Sequence, residues 1–372
     1  MTPPPIRLIT SANQYRVRGN RPARRVRRVG PARRARRARR ALGGLALALA
    51  GVLGLTQCGS PDADRERPAA SAEHPPGERP ARSPSPPEGR PTDADGSDEE
   101  DLLRLIADYT SDFTEDRGYR RPSYRERRTV AEGVALLVDR ERRRAERRLN
   151  DVDFEVRTIT DAATGRRYAE VADRTDHAAA PRGWGRVYVD LDHRVRWSAQ
   201  VPHPVADRDT EQLGAQLMRR APGGVLIIAG AHRKSGRGDE ADVAHHRDSV
   251  FHALCDELAA RGLPGIQIHG MADDSAPDHD VVASTGKGRE ALTEGRDLAD
   301  ALRRRGYEVC RAWARSCPLE GRKNVQGRNA TAQDTEFLHV EFAPKMREER
   351  KHRRAAVAAL AEVTRDWRRS RS

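Results

Sequence analysis

Short apolar runs alternate with amphipathic stretches along the second half of the chain. Buried-strand patterns occur at residues 225–229, 266–269 and 337–342, and helical spacing of apolar residues is found at 289–305 and 347–367. Alternation of strand and helix is typical of a largely parallel sheet with right-handed crossovers. The sequence therefore predicts an α/β fold with a mostly parallel central sheet flanked by helices.

The residues before this alternation divide into two parts. Residues 101–150 have helical spacing of apolar residues and predict two helices. Residues 151–203 predict a hairpin around 163–165 and two further strands, which either extend the same sheet or form its edge. We assign residues 101–150 to a helical segment and residues 151–372 to an α/β domain, which we expect to be catalytic.

The first 57 residues have the organisation of an export signal. An arginine-rich region ending at Arg39-Arg40 precedes an apolar run that leads into Leu55-Thr56-Gln57-Cys58. This order resembles a bacterial lipoprotein signal and implies membrane attachment through a lipidated Cys58, with a twin-arginine signal and an uncleaved anchor as alternatives. Each alternative predicts an extracytoplasmic protein, membrane-anchored or secreted. Residues 58–100 are rich in Pro, Ser and acidic residues and predict a disordered tether.

The positive charge of the chain is concentrated in that signal. The formal net charge is +13, but residues 1–57 hold fourteen arginines and no acidic residue, so the rest has 55 basic and 56 acidic residues. A nucleic-acid-binding domain needs a basic surface to neutralise phosphates. We therefore expect no nucleic-acid partner for the mature protein.

The cysteines bear on the compartment and on metal binding. There are four, Cys58, Cys255, Cys310 and Cys317, and no two of them form a CxxC pair, so we expect no cysteine-ligated zinc site. Cys310 and Cys317 either close a short disulfide loop, as an oxidising compartment permits, or remain buried thiols.

Histidines lie at or near the ends of four apolar runs. They are His203, His232, His269 and His339, and Glu341 follows the last of them by two residues. The carboxyl ends of parallel strands share one edge of a sheet, where ligands bind. We therefore expect metal-competent side chains to converge at that edge.

Two further features of this part are less specific. His232 is expected to make structural hydrogen bonds or to line a pocket. Residues 241–261 predict one long helix, and three- and four-residue steps place four polar residues on one of its faces. These are Asp242, His245, Ser249 and His252. We interpret this face as a polar surface packed near the pocket.

Zinc hydrolases of amides need histidine or carboxylate ligands, an open position for water and a carboxylate that takes the proton of the water. His203, His269 and Glu341 supply groups of this kind. Three acids that follow His203 are candidates for a further ligand. They are Asp207, Asp209 and Glu211. Their spacing alone does not choose among them.

Six blocks of sequence occur in order between residues 203 and 347. They are HPVADRDTEQLGA, GIQIHG, DVVASTG, LADALRRRGYEV, LEGRKNVQGRN and FLHVEFAPKMR. Together they resemble the zinc-dependent poly-γ-glutamate hydrolases. That family belongs with zinc carboxypeptidases and N-formylglutamate amidohydrolases, a group that shares an α/β fold and a metal site.

The resemblance implies roles for individual residues. The implied Zn²⁺ ligands are His203, Asp207 and His269. Glu211 remains the alternative to Asp207, because Pro204-Val205-Ala206 stands where the family has a glycine-rich turn. Glu341 matches the glutamate that acts as general base and then as proton donor. Asn324 and Arg328 match an asparagine and an arginine that bind a substrate carboxylate.

The predicted function follows from these assignments. We expect an exported zinc-dependent amidohydrolase that cleaves glutamyl amide bonds in a polymer or peptide by means of metal-activated water. A peptidoglycan amidase or carboxypeptidase with a similar metal layout is one alternative. A non-catalytic lipoprotein that binds a ligand or a metal is the other.

Overall fold

A computed structural model describes residues 98–370, which form one ten-stranded sheet with helices on both faces. The predicted export signal, Cys58 and the tether up to residue 97 lie outside the described residues. Within residues 98–370, no helix combines the length and apolar character needed to cross a membrane.

Strands and helices alternate through most of the described chain. The strands are β1 (Asp98–Glu100), β2 (Phe154–Asp161), β3 (Arg167–Asp173), β4 (Arg186–Asp190), β5 (Trp197–Val201), β6 (Gly224–Ile228), β7 (Gly265–Gly270), β8 (Val281–Ser284), β9 (Val309–Arg311) and β10 (Phe337–Phe342). The helices are α1 (Leu102–Thr110), α2 (Tyr124–Val138), α3 (Arg142–Asn150), α4 (Thr210–Arg220), α5 (Val250–Ala260), α6 (Leu292–Arg303), α7 (Val325–Ala332), α8 (Pro344–Glu348) and α9 (Arg350–Ser370).

The strand order is β1-β2-β3-β4-β6-β5-β7-β10-β8-β9. The four neighbours β6, β5, β7 and β10 are parallel. On one side of them, β2, β3 and β4 continue the same sheet as antiparallel strands, and on the other side β8 runs antiparallel to β10. The predicted α/β class is confirmed, and the β-rich stretch before residue 203 extends the same sheet.

The central strands are buried on both faces. In β6, Leu226 and Ile228 belong to the hydrophobic cluster that includes α1, α4 and α9, whereas Val225 and Ile227 belong to the cluster that includes α2 and α5. Fully burying a side chain of this size contributes about 1.5–3 kcal/mol. This two-sided burial explains why the strand is a continuous apolar run rather than an alternating one.

Two predictions about helices are wrong. Residues 101–150 form three helices, not two, because the chain turns between α2 and α3 at Arg140, which has a φ of 64°. The long helix predicted for residues 241–261 begins only at Val250. Ser249 is extended, and its hydroxyl accepts a hydrogen bond from the His252 amide at 3.0 Å, which caps the helix.

The late start of α5 removes the predicted polar stripe. Asp242 and His245 lie in turns before the helix, Ser249 is the cap, and only His252 belongs to the helix itself. The position of the Asp242 side chain is therefore set by the loop and not by the helix.

The last residues of the predicted tether, 98–100, form β1, which pairs in parallel with β2. Cys310 and Cys317 form a disulfide, so the first of the two alternatives for this pair holds. Cys255 is a buried free thiol.

Candidate metal centre

Three neighbouring parallel strands bring the predicted site residues to one edge of the sheet. β5 ends two residues before His203, and His269 in β7 pairs in register with Glu341 in β10. Asp207 lies in the turn after His203, where its amide donates to the His203 carbonyl at 2.9 Å. All four side chains are buried. The convergence expected from parallel strand ends is therefore present.

Asp207 stands between the two histidines. Its Oδ2 atom is 3.2 Å from His203 Nδ1 and 3.3 Å from His269 Nδ1, and the three candidate ligand atoms lie within 4.8 Å of one another. The Gly270 amide donates to the same oxygen at 3.2 Å. The two imidazoles and one carboxylate thus face a common point.

Glu211 does not take part in this cluster. It lies in the first turn of α4, and its carboxylate accepts a hydrogen bond from the Val205 amide at 3.5 Å. Burial raises the pKa of Glu211. The structure therefore brings Asp207, rather than Glu211, to the two histidines.

The hydrogen-bond network determines which nitrogen of His269 carries the proton. The Gly327 amide donates to Asn324 Oδ1 at 2.9 Å, so the Asn324 NH₂ group faces Gln267 Oε1 and donates to it. Gln267 Oε1 also lies 2.8 Å from His269 Nε2 and can only accept. His269 Nε2 therefore carries the hydrogen, and the lone pair of Nδ1 points at Asp207.

A carboxylate has the same effect on His203. Asp242 Oδ1 is 2.9 Å from His203 Nε2 and accepts its hydrogen, while Asp242 Oδ2 accepts from Arg233 Nη2 at 2.5 Å. With the hydrogen on Nε2, the other ring nitrogen, Nδ1, has only a lone pair, and it lies 3.2 Å from Asp207 Oδ2 and 3.5 Å from Arg233 Nη1. Nδ1 of a neutral His203 is thus an acceptor directed toward Asp207.

When His203 is neutral, three acceptor atoms face one another and none of them carries a hydrogen: the Nδ1 atoms of the two imidazoles and one carboxylate oxygen. Such a set repels itself unless a proton or a cation lies between its members. Two imidazole nitrogens and one carboxylate oxygen are ligands that zinc prefers, with a fourth position left for water or substrate. The residues present fit a zinc ion.

Burial and neighbouring groups shift the pKa values of all three residues. Burial and the nearby His339 lower the pKa of His269 to about 4, so this ring is neutral. Burial opposes ionisation of Asp207, but the hydrogen bond and the positive charge of a protonated His203 outweigh it and hold the pKa of that carboxyl well below its usual range. Burial also disfavours a charged His203, yet hydrogen bonds to Asp207 and Asp242 raise its pKa. A proton on His203 is then the charge that a metal would displace.

Glu341 is held beside the ligands by a histidine of its own strand. His339 Nε2 lies 3.1 Å from Glu341 Oε1, and the His339 ring centroid is 4.4 Å from that of His269. Period-two alternation along β10 puts both side chains on one face, as the sequence predicts. The carboxylate therefore has a fixed position next to the cluster.

The cluster opens into a cavity of about 550 Å³. One wall is the loop between Cys317 and Asn324, which the disulfide ties to β9. Three cationic side chains line the cavity. They are Arg233, Arg322 and Lys323. Arg233 and Arg322 are paired with carboxylates, whereas Lys323 makes no ion pair within the described chain.

One of the two substrate-binding predictions, that for Arg328, does not match this geometry. Arg328 is exposed on α7 and does not line the cavity. Asn324 borders the cavity, but it caps α7 with its oxygen and holds Gln267 with its nitrogen. The structure thus places Arg328 away from the site and commits the Asn324 amide to protein partners.

His232 also lies outside the cavity lining, and its neighbour Arg233 takes that place. The Lys234 amide donates to His232 Nδ1 at 3.3 Å, so the expected structural hydrogen bond is present.

Sequence reasoning missed the partners of the two histidines. Gln267 precedes His269 by two residues in the same strand, so period-two alternation was a usable signal for it. The sequence pattern predicts a helix face for Asp242, and no pattern indicates a role for Arg233. Both residues reach His203 from loops, whose course periodicity does not report.

Comparison with known proteins gives weak likenesses. No family model and no curated protein matches the sequence. Among solved structures, an N-formylglutamate amidohydrolase from Ralstonia eutropha JMP134 is similar at 12% identity and a TM-score of 0.36, over 50% of this chain and 99% of its own. A succinylglutamate desuccinylase from Chromobacterium violaceum is similar at 13% identity and a TM-score of 0.33, over 54% of this chain and 70% of its own. The first name belongs to the group that the sequence resembles, but likenesses of this strength assign no activity.

Proposed function

We propose that the protein is an exported zinc-dependent hydrolase that cleaves an amide bond in a glutamate-containing polymer or peptide. One observation carries the proposal. Nδ1 of His203, Nδ1 of His269 and Oδ2 of Asp207 face one another as acceptors, and Glu341 lies beside them in the same cavity.

Each residue has a definite task in this proposal. His203, Asp207 and His269 would hold the zinc ion. When bound, zinc lowers the pKa of a water molecule and polarises a carbonyl group. Glu341 accepts the proton of the attacking water and returns it to the leaving amine. His339 donates to Glu341 and keeps that carboxylate oriented.

The cationic side chains that line the cavity favour an anionic substrate. With Arg328 turned away, the cation left free on the cavity wall is Lys323, which is exposed and has no ion-pair partner in residues 98–370. An ammonium group at this place suits the carboxylate of a glutamyl residue. Lys323 therefore replaces Arg328 in the proposal.

The disulfide supports export. Disulfides persist in oxidising compartments and are rare in reducing ones. The Cys310–Cys317 bond forms one support of the cavity wall. Together with the export signal predicted for residues 1–57, it favours a site of action outside the cytoplasm, with attachment through Cys58 as the proposed anchor.

Metal analysis and product identification test the proposal. The purified protein should contain one zinc ion, and it should release glutamate-containing fragments from poly-γ-glutamate. Glu341→Gln should keep the zinc and lose about 10²–10⁴-fold in rate. Digestion of peptidoglycan in parallel tests the amidase alternative through the termini released. Bound zinc with no turnover on either polymer would favour a binding protein, and full activity of Glu341→Gln would remove Glu341 as the base.

A further inference from the structure

A buried arginine joins the three segments that carry the site. Arg347 of α8 is 4% exposed. Its Nε donates to the Phe342 carbonyl at 3.0 Å, its Nη2 to the Met271 carbonyl at 3.1 Å, and its Nη1 to the Arg208 carbonyl. One guanidinium thus bonds main-chain oxygens from three segments that are distant in sequence.

Each of these carbonyls lies next to a site residue in the chain. Phe342 follows Glu341, Arg208 follows Asp207, and Met271 is two residues after His269. Peptide planes are rigid, so holding one plane restricts the position of the neighbouring Cα and its side chain. The guanidinium therefore sets the relative position of two ligands and the base.

Gly270 makes room for this arrangement. A Cβ atom at Gly270 would lie 2.7 Å from Arg347 Cζ and 2.9 Å from the Asp207 carbonyl oxygen. The Gly270 amide, in turn, donates to the Asp207 carboxylate. The Arg347 guanidinium therefore packs against Gly270, whose amide bonds the Asp207 carboxylate.

Packing alone does not account for an arginine at this position. Within the described chain, Arg347 forms no ion pair. Burial lowers its pKa, and the nearby charges of Asp207 and Glu341 act in the opposite direction. Burying an unpaired charge has a substantial cost, and an apolar side chain would fill the same volume without it.

We propose that Arg347 is the positioning residue of the centre, fixing Asp207, His269 and Glu341 relative to one another through their main chains. The expected effect on zinc affinity rests on the proposed function. The three carbonyl bonds stand without a metal.

Arg347→Lys is the informative substitution. Lysine keeps the charge, but its single ammonium group lacks the planar fork that reaches three carbonyls. Arg117→Lys is the matched control, because Arg117 Nη2 also bonds a main-chain oxygen, that of Asp176 at 2.7 Å, and Arg117 does not line the cavity. Zinc affinity is measured by competition with a chromophoric chelator, and the unfolding midpoint is measured in excess chelator.

We expect zinc binding to weaken about 10–100-fold in Arg347→Lys and to stay unchanged in Arg117→Lys. The unfolding midpoint in excess chelator should fall further in Arg347→Lys, which loses three main-chain bonds, than in Arg117→Lys, which loses one. If Arg347→Lys does not fold, Gly270→Ala tests the same contact, since its methyl group displaces the guanidinium. Parental zinc affinity in a folded Arg347 or Gly270 variant, or an equal loss in Arg117→Lys, would overturn the proposal.

A metal-free measurement separates this inference from the proposed function. If the parent protein binds no zinc, the proposed function fails. Hydrogen exchange of the Gly270 amide in the metal-free protein then tests the positioning role. Exchange should be faster in Arg347→Lys and unchanged in Arg117→Lys, and equal exchange in all three proteins would refute the role.

Discussion

Asp242 Oδ1 lies 2.9 Å from His203 Nε2, on the side of the imidazole opposite Asp207. The carboxylate keeps the hydrogen on Nε2 and leaves the Nδ1 lone pair for a cation. Asp242 reaches this position because the chain is not yet helical there, and Arg233 holds its second oxygen.

Asp242→Asn tests this relationship. The amide is nearly isosteric but can present NH₂ to His203, so we expect zinc affinity to fall about 10–100-fold. Competition with a chelator measures the change. Asp248→Asn, which removes a partly exposed ion pair with Arg127, is the control and should leave the affinity as it is.

Asn324→Asp separates two roles for this residue. Aspartate still caps α7 by accepting from the Gly327 amide, but it no longer donates to Gln267. Gln267 is then expected to turn its NH₂ group toward His269 and to move the ring hydrogen to Nδ1. We predict loss of zinc binding, with the tautomer of His269 followed by nitrogen NMR. A raised KM with full zinc content would instead restore the substrate-binding role that the sequence predicts.

Lys323→Ala and Arg328→Ala form a matched pair of variants. Lys323 precedes α7, and Arg328 lies in its first turn. Lys323 lines the cavity, whereas Arg328 is exposed away from it. We expect Lys323→Ala to raise KM for a glutamyl substrate on the order of tenfold, with zinc content and kcat little changed. Arg328→Ala should behave as the parent protein does. Steady-state kinetics of the two variants measure the difference. A raised KM in Arg328→Ala and an unchanged KM in Lys323→Ala would instead show that Arg328 binds the substrate carboxylate.

His252 makes the stability of the fold depend on pH. Burial lowers its pKa from 6.5 to about 4, so the folded protein binds this proton less tightly than the unfolded chain. The contribution is fully present above pH 6.5 and is lost as the pH falls toward 4, at up to about 1.4 kcal/mol per pH unit.

Denaturant unfolding in excess chelator at pH 7.5 and pH 5 measures this loss. His252→Gln should reduce the difference in unfolding free energy between the two pH values. His177→Gln, at an exposed histidine, should leave the difference unchanged. An undiminished difference in His252→Gln would assign the acid sensitivity to other groups, with His269 the first candidate.

Local pattern was enough to predict much of the site. The runs that end at His203 and His269, and the strand that carries Glu341, are recognisable as strands because they are apolar and short. Parallel strand ends share an edge, so their side chains could be expected to meet. The start of α5 was less accessible, since one hydroxyl bond at Ser249 decides it.

By itself, the sequence determined the α/β class, the strands that form the edge, and the two histidines and the glutamate that meet there. Only the tertiary structure decided that Asp207 and not Glu211 meets the histidines and that Arg328 lies outside the cavity lining. It also decided that Asp242 and Gln267 bond the two rings and that Arg347 bonds the main chain beside them. The reason is physical. Periodicity reports which face of an element is buried, whereas hydrogen bonds between distant segments depend on how the loops place a few polar atoms to within tenths of an ångström.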